Sequence, residues 1–193
     1  MMGRCLAPWI WALALSSLAV VAGAGEGGAQ LLLTQEEALR LAFPEPAHIE
    51  RRTAFLGEED LREARALAGP GVEIEDGVIS YYVGIEGDTP VGAAYFDVHR
   101  VRTLPEVLMV VIGPDDRVER IEVVKFQEPP EYVAPEGWIE QIIGKGLSPA
   151  LSLKGEIVNI TGATLTAGAV TDAARRVLAY HHLIDPLGSG RGR

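Results

Sequence analysis

The chain has 193 residues, 48% of them hydrophobic and 23% charged, which fits a folded domain of ordinary size and argues against a disordered chain. Its net charge of −10 is spread along the sequence. No basic stripe is present to neutralise phosphates, so no nucleic-acid partner is expected, and the acidity reads as solubility rather than as an interaction tail.

The chain opens with one positive charge, Arg4, then an apolar run from Leu6 to Val21 and the small residues Ala22, Gly23 and Ala24. This is the layout of a secretory signal peptide over residues 1–24, and it predicts an extracytoplasmic protein, periplasmic or exported. An uncleaved N-terminal membrane anchor is the alternative, although the run is slightly shorter than the roughly 20 apolar residues of a spanning helix. Cleavage would remove Arg4, taking the net charge from −10 to −11, and would remove Cys5, the only cysteine. The mature chain is then expected to form no intramolecular disulfide, cysteine-ligated cluster or C-x-x-C-H haem attachment.

Residues 25–32 read as a flexible lead-in, and 33–185 as one domain. Thr34 with Glu37 three residues on is a capping box for a short helix that Pro44 stops. Residues 50–56 are expected to be extended. The stretch from Glu58 to Ala68 is a helix with an acidic front, ended by Gly69 and Pro70. Strand patterns follow in "VISYYVGIEG" and in "VGAAYFDVHRV", which should pair. Residues 108–112 and 118–126 form the clearest hairpin, with its turn at 113–116. The blurred alternation of its second strand predicts cover on both faces or a bulge. A proline-rich loop, a short helix in "GWIEQIIGKG" ended at Gly144 or Gly146, and a last helix over 165–183 complete the domain. That helix carries Val170, Ala173, Ala174, Val177, Leu178 and His181 on one face. Pro186 begins a disordered tail, 186–193. The element order predicts an α+β fold, an antiparallel sheet with packed helices.

The front of the last helix is odd. Thr161, Thr164, Thr166 and Thr171 are indifferent helix formers, and Gly162 and Gly168 are poor ones. Thr-Gly-Ala-Thr strings usually do no more than cap helices. Here "NITGATLTAGAVTDA" resembles the attachment motif of the FMN-binding domain family, which includes the periplasmic flavin-carrying subunits of sodium-pumping NADH:quinone reductase and of Rnf complexes. Thr161, Gly162, Ala163 and Thr164 match the family pattern Asp-x-x-Ser/Thr-Gly-Ala-Thr/Ser, and Val158 stands where that pattern has its Asp. "LTQEEALRLAFP", "ERRTAFL", "HRVRTLPEVLMVVI" and "EPPEYV" widen the likeness over most of residues 33–178.

The resemblance implies FMN joined through a phosphoester to the Thr164 hydroxyl by a flavin transferase. The cofactor-binding candidates it gives are Thr161, Gly162, Ala163, Thr164, Leu165 and Thr166. The local chemistry agrees, because the first turn of a helix offers free N–H groups and a positive dipole end to a phosphate. The function it implies is an extracytoplasmic electron carrier, reduced by a membrane-associated donor and passing electrons to a redox acceptor, with association with a membrane complex as a further expectation. The flavin supplies the chemistry, and no acid–base constellation points to substrate turnover by the protein. The alternative is an exported binding or assembly module of the same fold that holds FMN reversibly or not at all.

Other residues have two readings each. His99, Arg100 and Arg102 are cations for the flavin's pyrimidine edge or phosphate, or a polar strand end; His99 and Arg102 are kept as cofactor-binding candidates. Tyr132 and Trp138 stack on an isoalloxazine face, or pack a short helix on the sheet. Lys145 and Lys154 neutralise phosphate or are surface. Asp172, Arg175 and Arg176 read as helix-surface charges. Adjacent His181 and His182 point in different directions, so no metal site is expected.

Overall fold

The computed structural model describes residues 30–190. The signal peptide expected at 1–24 lies outside the described residues, as do most of the lead-in and residues 191–193 of the tail. Among the described residues, the elements run β1 (Gln30–Leu31), α1 (Gln35–Ala42), β2 (His48–Phe55), α2 (Glu58–Ala68), β3 (Val78–Glu86), β4 (Thr89–Arg100), β5 (Pro105–Ile112), β6 (Val118–Phe126), α3 (Glu136–Ile139) and α4 (Thr164–Ile184). The strands form one antiparallel sheet in the order β1-β6-β5-β4-β3-β2. The fold is α+β.

The short helix α1 is set by its capping box, with the Thr34 hydroxyl accepting from the Glu37 N–H and the Glu37 carboxylate from the Thr34 N–H. It buries Ala38 and Leu39 on one face of the sheet. Phe43, just after it, lies flat on Gly84 and Gly92, which face each other across β3 and β4; a Cβ at Gly84 would overlap the ring. The blurred pattern of β6 has its cause in two register shifts against β5, at Val107/Leu108 and Val111/Ile112.

The opposite face carries the main core and α4. Val170, Ala173, Ala174, Val177, Leu178 and His181 are all buried, as the 3.6-residue period predicts. Each large apolar side chain buried there stabilises the fold by about 1.5–3 kcal/mol. The alanines let α4 lie close to the strands. α2 packs its buried Leu61, Ala64 and Ala68 beside α4, against Ala179 and Tyr180. It stops at Gly69, whose φ of 82° suits glycine, and the Arg175 guanidinium occupies the space a side chain there would need.

Two margins differ in detail from the sequence reading. The lead-in ends in β1, which pairs with β6 through Gln30↔Phe126 and Leu31↔Lys125. At the other end, Pro186 is buried and Leu187 packs on the main core. Asp185, in the left-handed region at φ 45°, accepts from the N–H groups of Ser189 and Gly190. Among the described residues, no helix is long and apolar enough to cross a membrane.

Candidate functional site

The ladder between β3 and β4 runs from Glu86↔Thr89 to Tyr81↔Tyr95, yet β3 begins at Val78 and β4 continues to Arg100. The two strands part at residues 78–80 and 96–100 while β4 stays paired to β5 as far as Arg100↔Pro105. A cleft of about 720 Å³ opens at the split, closed on its other sides by the first turns of α4 and the α2–β3 connection. Its size is that of a small-molecule or cofactor site. Val78, Val98 and Leu165, three of the large apolar side chains left exposed on this protein, all line it.

Thr164 is the first residue of α4, exposed, on the wall of this cleft. Gly162, at φ 88°, makes the preceding turn in a conformation that side chains rarely adopt. The helix is preceded by Ala163, which offers no side-chain cap, so the N–H groups of the first turn are available to an anion. The Asn159 amide donates to the Thr164 hydroxyl oxygen at 3.3 Å and helps to orient it.

The remaining threonines do separate work. Thr161 is exposed in the turn. Thr166 is buried and donates to the Tyr132 carbonyl at 2.6 Å, tying the proline-rich loop to α4. Thr171 is buried and bonds back to the Ala167 carbonyl. Leu165 and Gly168 line the cleft. Gly162, Ala163 and Thr164 form one turn, of which Thr164 lines the cleft, whereas Thr166 points away from it into the packing.

His99 also lines the cleft, with its side chain only 8% exposed. Its Nδ1 lies 2.8 Å from Asp97 Oδ1 and its Nε2 3.0 Å from Glu106 Oε2. Asp97 accepts two hydrogen bonds from Arg176, at 2.7 and 2.9 Å, and Arg176 also donates to the Glu73 carbonyl. Burial works against ionisation of Asp97, but hydrogen bonds from Arg176 and His99 outweigh it and hold the carboxyl below its usual range. Burial alone would lower the His99 pKa; hydrogen bonds to Asp97 and Glu106 reverse this and raise it to about 9. Burial raises that of Asp172 on the same wall.

These contacts correct parts of the sequence reading. His99 is neither a simple polar strand end nor a free cation, but is clasped by two carboxylates. Arg176 is a partner of Asp97 rather than a surface charge, and Arg175 is buried. Arg102 is not on the cleft wall; its guanidinium stacks on the Tyr132 ring at 5.2 Å. Trp138 belongs to the main core and donates from its indole N–H to the Val158 carbonyl, so packing accounts for it. Lys145 pairs with Glu156 at 2.5 Å, and Lys154 is exposed.

Sequence reasoning missed Asp97, Glu106 and the role of Arg176. Their trace was present: Asp97 and His99 occupy the inward positions of a strand whose other inward residues are apolar, and Glu106 is the register partner of His99.

The cleft fits FMN on its own terms. An anion-accepting helix start stands at one edge, apolar side chains suit a flat heterocycle, and Glu73, Glu75, Asp76 and Asp172 can accept from the ribityl hydroxyls. No curated protein and no solved structure matches the chain. Residues 105–179 match a family model described as the FMN-binding domain. That segment covers β5, β6, α3, the 161–164 turn and most of α4, so this part of the chain is similar to the FMN-binding domain family, which supports FMN as its cofactor.

Proposed function

We propose that this protein is an extracytoplasmic electron carrier whose FMN is joined through a phosphoester to Thr164. The observation that carries the reading is the exposed Thr164 hydroxyl at the uncapped start of α4, on the wall of a cofactor-sized cleft. Thr164 would bear the phosphate, with the first-turn N–H groups and the helix dipole favouring its charge. Bound FMN supplies reversible uptake and release of electrons. The protein holds the phosphate at α4, receives the ring between β3 and β4, and sets the charge around it through His99 and Arg176. A flavin transferase would make the link, and a membrane-associated donor and a redox acceptor would exchange electrons with the carrier. The apolar run that ends at Val21 supports export.

The test is co-expression with a flavin transferase, followed by intact mass and in-gel fluorescence after denaturing electrophoresis. Wild type should show one added FMN that survives denaturation, and Thr164→Ala should show none. Equal labelling of the mutant would exclude Thr164 as the attachment point.

A second reading rests on Val158. This side chain is 70% exposed where the family pattern has an Asp, and it can neither accept a hydrogen bond nor bind a cation for a modifying enzyme. A binding or assembly module holding FMN reversibly would give yellow protein whose colour is lost on denaturation.

A further inference from the structure

We propose that Glu106 is a proton acceptor coupled, through His99, to reduction of the bound flavin; this rests on the flavin site described above. His99 stands between the cleft and Glu106, with a carboxylate oxygen at each ring nitrogen. An ionised carboxylate only accepts hydrogen bonds, so a ring held this way donates from both nitrogens and is an imidazolium.

Arg176, Asp97, His99 and Glu106 then form a chain of alternating charges that sums to zero. One end is closed: Arg176 grips both Asp97 oxygens and the Glu73 carbonyl. The other end is open. Glu106 is fully buried, one oxygen meets His99, and Oε1 has no hydrogen-bond partner among the described residues. A buried acceptor without a partner is rare and costly. Oε1 is also the position in this chain where a proton can be added without displacing an existing hydrogen bond.

Two electrons and one proton entering the flavin ring leave one added negative charge in the cleft. The electrons come from an external reductant, dithionite in the test below. The Glu106 carboxylate takes one proton, drawn from solvent by way of the cleft that His99 lines, and becomes a neutral carboxyl. Arg176, Asp97 and His99 keep their charges, so the chain gains one positive charge against the ring. The charged groups facing His99 are Asp97 on its own strand, Glu106 on β5, and Asp172 and Arg176 on α4. None of the other three can take this role as readily: Arg176 has no acceptor capacity, both Asp97 oxygens already accept hydrogen bonds, and Asp172 lies at the open rim.

The experiment uses FMN-loaded wild type, Glu106→Gln and His99→Gln. Midpoint potentials are measured against pH, together with reduced-minus-oxidised infrared difference spectra. Wild type should gain a protonated-carboxyl C=O band on reduction, and the added proton should steepen the fall of potential by about 30 mV per pH unit. Both should vanish in Glu106→Gln with flavin still bound, and the coupling should weaken in His99→Gln. An unchanged slope and band in Glu106→Gln overturn the proposal. Should that variant not fold, flavin-free wild type decides by nitrogen NMR: two protonated ring nitrogens on His99 at neutral pH support it, and one overturns it. Wild type that takes up no flavin contradicts the site itself, whereas wild type that binds flavin but takes up no protein proton overturns this proposal alone.

Discussion

His99 on β4 and His181 near the C-terminal end of α4 are both largely buried and both against carboxylates, yet their protonation is driven in opposite directions. His99 has a carboxylate at each ring nitrogen. His181 has one, Asp116 at 3.3 Å from Nε2, while its Nδ1 faces the Tyr95 hydroxyl at 3.1 Å. A phenol can donate to a neutral ring, so the neutral tautomer satisfies both of the partners of His181. Burial then dominates and lowers the His181 pKa, whereas two carboxylates overcome burial at His99. What decides the charge of a buried histidine here is the number of obligate acceptors around it. The ionised end faces the cleft and the neutral end closes the core.

Breaking the ionised end should cost most. Arg176→Met leaves Asp97 buried with its main cation gone, and should destabilise the fold by about 3–5 kcal/mol in urea denaturation. Arg176→Met combined with Asp97→Leu should recover much of that loss; if it recovers none, the pair is not the unit described. The next effect is in pH. The folded-state pKa of His99 lies above its ordinary value, so the stability it contributes is full below pH 6.5 and is lost as pH rises through about 9. The loss is on the order of 3 kcal/mol, and His99→Gln should flatten that alkaline limb.

The neutral end has the opposite sign. The lowered His181 pKa means the unfolded chain binds its proton first, so stability should fall as pH drops below the ordinary 6.5. His181→Leu should remove this acid limb and cost about 1–3 kcal/mol by stranding the buried Tyr95 hydroxyl. The smallest effect is expected midway, at the loop. Thr166→Val removes the hydrogen bond to the Tyr132 carbonyl and should cost about 1 kcal/mol, with faster amide exchange in residues 129–135 as the more sensitive readout.

Local chemistry made much of the fold legible in advance. The Thr34–Glu37 box, the Glu58–Ala68 helix with its glycine stop, the hairpin turn and the buried face of α4 each depend on residues close together in sequence. So does the Thr161–Thr164 turn, of which Thr164 lines the cleft. The split between β3 and β4 was not legible, because the point where a ladder ends depends on what packs against it from α2 and α4. Arg176 was misread for a related reason. Beside Arg175 and near Asp172 it has the pattern of a solvated helix, and only the approach of β4 turns it inward onto Asp97. Glu106 fell outside the expected strand, and its burial follows from the length of β5, which begins at Pro105 rather than at the expected Leu108.

Under the proposed function, the flavin ring enters the sheet where β3 and β4 part. A crystal structure of the FMN-loaded protein tests it most directly. Phosphate is expected at the first turn of α4 and the ring between residues 78–80 and 96–98, in contact with Val98 and Leu165 and within reach of His99. A ring bound elsewhere, with that gap filled only by water, would contradict it.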